Sequence, residues 1–81
     1  NPARAGQEVT VSWHLHEPTD MAVELLDVRG RVVDTWLPMQ SFPRGHHQRS
    51  FTVDALQSGT YFYRLTTAEG LVRSHSIQVV D

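Results

Sequence analysis

The chain has 81 residues, a net charge of −2 at pH 7 and no cysteine. This length allows a single domain, and the lack of cysteine excludes disulfides and thiol chemistry. With 40% hydrophobic and 20% charged residues, the composition is typical of a folded globular domain and not of a disordered segment. Because there is no basic excess, nucleic acid and anionic membranes are poor candidate partners.

Alternation of apolar and polar residues predicts the first strands. The segment 9–16 has a strict two-residue period, which is typical of a half-buried strand. Its apolar side consists of Val9, Val11, Trp13 and Leu15. A turn-like cluster follows at 17–20, and the same period resumes over 21–28.

A hairpin is predicted next. The segment 27–30 begins with Asp27 and ends with Gly30, the preference of a type I turn. We expect a strand over 31–37 to fold back on the previous one, and a loop over 38–45 because that segment contains two prolines. The sequence does not decide which side of this strand faces the core, because two apolar pairs compete for it, Val33 with Leu37 and Val32 with Trp36.

Three further strands are expected over 46–53, 60–67 and 71–80, with Tyr61, Tyr63 and Leu65 facing the interior. In the last strand Val72 is out of phase with Ile77 and Val79, which predicts a β-bulge or a kink near 74–76.

Together these segments predict an all-β fold, an immunoglobulin-like antiparallel β-sandwich of six to seven short strands. About a dozen apolar side chains would form its core. We expect one module over residues 1–81. Because it starts at Asn1-Pro2, with neither an initiator methionine nor a signal peptide, we expect it to be a piece of a longer protein.

Histidines are the only candidates for chemistry. His14 and His16 are two residues apart, which puts two imidazoles on one face of a strand, as a zinc site needs. No third ligand has a fixed position, so we interpret them as solvent-facing polar residues and expect no metal or cofactor. His46 and His47 are adjacent and would point to opposite faces of a strand.

Catalytic motifs are not found in the sequence. It has no Gly-x-Ser-x-Gly elbow and no glycine-rich phosphate loop, so we expect no enzyme activity and no small-molecule substrate. The aromatic residues Trp36, Phe42 and Phe62 raise the alternative of a carbohydrate-binding platform, although packing is the favoured interpretation.

Five short motifs, each present once, follow one another along nearly the whole chain. They are Asn1-Pro2, then Asp27 with Gly30 and Arg31, then Gly45-His46, then Leu56, Ser58, Gly59 and Tyr61, and a final strand over Ser76 to Val80. This series resembles the type A C-terminal sorting domain of the type IX (Por) secretion system. The resemblance implies a non-catalytic module that directs its parent protein across the outer membrane, or attaches it to the cell surface.

The resemblance also implies the partners and the recognition residues. The partners would be the secretion or cell-surface attachment machinery, with a parent catalytic domain N-terminal to the module. The recognition or turn residues would be Asp27, Gly30, Arg31, Gly45, Leu56, Gly59 and Tyr61. The same residues suit turns and packing, since the 56–61 segment resembles a tyrosine corner.

Two other functions stay open at this point. One is an accessory carbohydrate-binding module of a secreted glycoside hydrolase. The other is a structural spacer, related in topology to the immunoglobulin-like domain of flagellar hook-capping proteins.

Overall fold

A computed structural model describes residues 2–4, 6, 8–53 and 57–80. These residues form seven strands and no helix, which confirms the all-β prediction. The strands are β1 (Pro2–Arg4), β2 (Glu8–Leu15), β3 (Thr19–Leu26), β4 (Val32–Phe42), β5 (Gly45–Thr52), β6 (Gly59–Thr67) and β7 (Val72–Val80). The described residues include no helix that could cross a membrane.

The strands form two sheets of unequal size. The larger sheet has the order β1-β7-β6-β3-β4, and the smaller sheet pairs β2 with β5. Neighbouring strands are antiparallel except β1 and β7, which are parallel. The predicted sandwich is confirmed, with a five-stranded layer facing a two-stranded one.

The core lies between the two sheets. Its buried apolar side chains in the described residues are Val11, Leu15, Met21, Val23, Leu25, Leu26, Leu37, Phe42, Val53, Leu65, Ile77 and Val79. All of them except Leu26 fall in two clusters, and Val9, Trp36 and Tyr63 pack against both. The alternation predicted for β2 therefore holds, because its apolar side faces this interior while its polar side faces solvent.

The fourth strand differs from the prediction. The structure continues β4 through Pro38 to Phe42, where a loop over 38–45 was expected. That expectation was wrong because β4 is the outer strand of its sheet and, in the described residues, pairs only with β3. At an edge, the missing N–H of a proline removes no necessary hydrogen bond.

A β-bulge in β4 explains its ambiguous pattern. Val23 pairs with Leu37, but the next residue, Glu24, pairs with Thr35, so Trp36 is an extra residue in the ladder. An extra residue locally shifts the alternation of side chains. Leu37 is buried and Trp36 packs against both core clusters. One residue from each of the two competing sets therefore faces the interior.

The bulge expected near 74–76 is not there. The pairing of β6 with β7 is continuous from Gly59 opposite Val79 to Thr66 opposite Val72. This prediction was wrong because Val72 does not need to reach the core. Val72 is 54% exposed and lies on the outer face of the larger sheet. The alternation of inward and outward side chains therefore continues unbroken along β7.

Candidate functional site

The turn between β3 and β4 is held together by Asp27. Its backbone carbonyl accepts the N–H of Gly30 at 3.0 Å, and its N–H donates to the carbonyl of Arg31 at 2.9 Å. Its Oδ1 accepts the backbone N–H groups of Arg29 at 2.9 Å and of Arg31 at 3.0 Å. Gly30 has a φ of +82°, a conformation that side chains with a Cβ rarely adopt.

The same carboxylate orients a cation. Nε of Arg31 donates to Oδ2 of Asp27 at 2.9 Å, although the Arg31 side chain is 70% exposed. The hydrogen bond from the backbone N–H of Arg31, followed by the one from its side chain, lowers the pKa of Asp27. The turn therefore presents a guanidinium whose direction is fixed while most of its surface stays open to a partner.

A second motif forms a tyrosine corner. The hydroxyl of Tyr61 donates to the carbonyl oxygen of Gln57 at 2.8 Å, so the phenol ties the start of β6 to the preceding connection. Gly59 begins β6. Leu56, the first residue of the predicted motif, lies outside the described residues.

Strand topology brings most of these residues to one end of the sandwich. A strand of nine residues spans about 30 Å, in keeping with the 39 Å longest dimension of the protein. The 27–31 turn, the 57–61 corner and the end of β7 lie at one end, because Leu26 pairs with both Val32 and Phe62. We call this end the motif pole.

Gly45 does not belong to the motif pole. It pairs with Leu15, at the end of β2 that leads into β3, whereas the motif pole lies where β3 ends. Of the predicted recognition residues in the described part of the chain, Asp27, Gly30, Arg31, Gly59 and Tyr61 are brought together, and Gly45 lies at the opposite end. Its φ of +126° gives it a turn role there.

Exposed valines surround the motif pole and were not identified from the sequence. Val28 at the tip of the turn is 68% exposed, and Val32 and Val33 at the start of β4 are 47% and 40% exposed. Val80, the last residue of β7, is 37% exposed. An apolar residue inside a predicted turn, as at Val28, was the available signal, since turns usually carry polar residues.

Two of the three aromatic residues considered for a sugar platform, Trp36 and Phe42, are used in packing. Phe42 is buried, and its ring meets that of Trp13 edge-on with centroids 5.5 Å apart. Trp36 stacks on Phe51 with ring centroids 5.0 Å apart. Both rings are used in packing between the sheets, so they leave no flat exposed surface for a sugar.

Comparison with known proteins agrees with this geometry. The family model described as "Secretion system C-terminal sorting domain" matches residues 1–79. No curated protein matches the sequence. The chain belongs to the family of C-terminal sorting domains, non-catalytic modules that mark proteins for export by the type IX (Por) secretion system to the cell surface or the extracellular space.

Proposed function

We propose that the secretion machinery recognises this domain in its folded form, at the motif pole. The main contact would be the Arg31 guanidinium, with the exposed valines around it supplying apolar contact. The observation that supports this most directly is the 2.9 Å bond from Arg31 to Asp27, which leaves the Arg31 side chain 70% exposed. A cation held in one direction loses little side-chain entropy when it meets a carboxylate or carbonyl partner.

The valines extend the surface along the sheet edge. Val32 and Val33 begin β4, the outer strand of the larger sheet. An exposed strand edge can accept a partner strand through backbone hydrogen bonds. The guanidinium and this edge adjoin one another, so one partner segment could contact both.

The whole chain would act as one such module, attached after a parent domain that carries any catalytic activity. The predicted residues Gly30, Gly59 and Tyr61 would then act indirectly, by shaping the turn and the corner. Gly45 would contribute to folding at the opposite end and not to recognition.

A reporter fusion tests the proposal. The chain is joined to the C-terminus of a passive reporter in a bacterium with a type IX system, and the reporter is measured at the cell surface, in the medium and in the periplasm. Arg31→Ala should lower the exported fraction strongly, since a charge-assisted hydrogen bond contributes about 1.5–3 kcal/mol, or about tenfold or more in affinity.

Arg29→Ala is the matched control. It removes the same charge two residues away, and the backbone N–H that donates to Asp27 stays in place. Circular dichroism checks that both variants are folded. If folded Arg31→Ala is exported as well as Arg29→Ala, recognition at the motif pole is refuted. If the unaltered fusion itself stays in the periplasm, the sorting activity of this chain is refuted.

A further inference from the structure

The outer face of the smaller sheet brings together histidines that are far apart in the sequence. His14 in β2 lies directly opposite His46 in β5. The neighbouring pair, Trp13 and His47, faces inward, with ring centroids 5.6 Å apart. Because side chains alternate along a strand, His14 and His46 share the solvent-facing side.

A third imidazole joins this pair. The ring centroid of His14 is 4.3 Å from that of His46 and 4.9 Å from that of His16. All three residues are exposed, and we call them the imidazole triad. The sequence left a two-histidine site without a third ligand, and the register of β2 with β5 supplies it.

These spacings suit ligands of one metal ion. Imidazole nitrogens bind zinc at about 2.0–2.1 Å, and tetrahedral geometry then places neighbouring ring centroids about 5 Å apart. The distances from His14 to its two neighbours are close to that value. His14 therefore lies at ligand spacing from two other rings, that of His16 just past the end of β2 and that of His46 on the antiparallel neighbour β5.

The three imidazole rings have to rotate before their nitrogens can bind one metal ion. As the side chains stand, no group of three histidine, aspartate or glutamate residues in the described part of the chain could hold a metal ion. Exposed side chains change rotamer within nanoseconds, so the three rings can make this adjustment freely.

We propose that His14, His16 and His46 form a binding site for a divalent transition-metal ion of the zinc class, with water completing the coordination. Imidazole ligands suit zinc, copper and nickel, whereas calcium and magnesium prefer oxygen. The site lies at the end of the sandwich opposite the motif pole, since His46 follows Gly45. It is therefore independent of the recognition surface proposed above.

Zinc titration of the 81-residue chain tests the site. Histidine ring signals in nuclear magnetic resonance spectra are followed at neutral pH as zinc chloride is added. The rings of His14, His16 and His46 should shift together, while His47 and His75 should not. His14→Gln should weaken zinc binding by at least about tenfold, because even the loss of an outer-shell partner typically costs 10–100-fold.

His75→Gln is the matched control, because His75 is in β7 of the other sheet and stacks on Tyr63 with ring centroids 5.2 Å apart. It should leave zinc affinity unchanged. His46→Gln repeats the test from the second strand if His14→Gln alters the fold by circular dichroism. The proposal is overturned if millimolar zinc leaves the three rings unshifted, or if His75→Gln weakens binding as much as the triad variants do.

Discussion

Leu25 offers a direct test of the sandwich interior. It lies in β3 and is 1% exposed, packed in a cluster with Val53, Ile77 and Val79. Val53 directly follows β5 and the other two neighbours belong to β7, so they reach Leu25 only if the chain folds as described. Leu25→Ala removes most of the apolar side chain from this cluster and leaves a cavity.

The expected loss is large relative to the stability of so short a chain. A buried Leu→Ala change lowers the free energy of unfolding by about 2–5 kcal/mol. A domain of this size has about 4–12 kcal/mol in total. Because each kcal/mol shifts the midpoint of thermal unfolding by about 4–8 °C in a domain of this size, the midpoint should fall by roughly 10 °C or more.

Urea and thermal unfolding, followed by circular dichroism, give the measurement. Leu71→Ala is the matched control, because Leu71 is 71% exposed and surface changes usually stay within about 0.5 kcal/mol. Equal unfolding midpoints for the two variants would show that Leu25 is not in a packed interior. The assignment of the facing sheets would then be wrong.

Two further predictions concern the motif pole. Tyr61→Phe removes the hydrogen bond to the carbonyl of Gln57 and should lower the free energy of unfolding in urea by about 1 kcal/mol; an unchanged value would mean that water replaces the bond without loss. The pKa of Asp27 is lower in the folded protein than its ordinary value of 3.8. The ionised carboxylate therefore stabilises the fold fully at pH values above 3.8, and this contribution is lost as the pH falls through the lower pKa of the folded state. Acid unfolding of Asp27→Asn should therefore show a smaller pH dependence below about pH 4 than that of the control Asp34→Asn in β4, and equal slopes would contradict this assignment.

Local patterns were sufficient to predict much of the fold. The alternation around Trp13 gave β2 with its correct inward face, and the Asp27 to Gly30 spacing gave the turn that the hydrogen bonds confirm. Both features depend on residues close together in the chain. The tyrosine corner was also recognisable, because Tyr61 bonds to a residue only four positions away.

The relative positions of residues that are distant in the sequence could not be predicted from such local patterns. Pro38 suggested a loop because proline interrupts most strands. It is tolerated in β4 only because β4 is an edge strand, and strand order cannot be read from a local pattern. The bulge at Trp36 depends on the register against β3. For the same reason the sequence could not place His46 opposite His14, or show that Gly45 lies far from Arg31.

The irregular edge formed by β4 limits how strands can stack on this protein. A regular, unpaired edge invites neighbouring copies to add on and polymerise. Here Pro38 removes a donor, and the extra residue at Trp36 disrupts the spacing of the ladder. A visiting strand could therefore pair regularly with only a few residues of β4 at a time, because its register against β3 shifts at several places between Val32 and Gln40. The edge thus discourages the repeated strand addition by which identical copies would self-assemble.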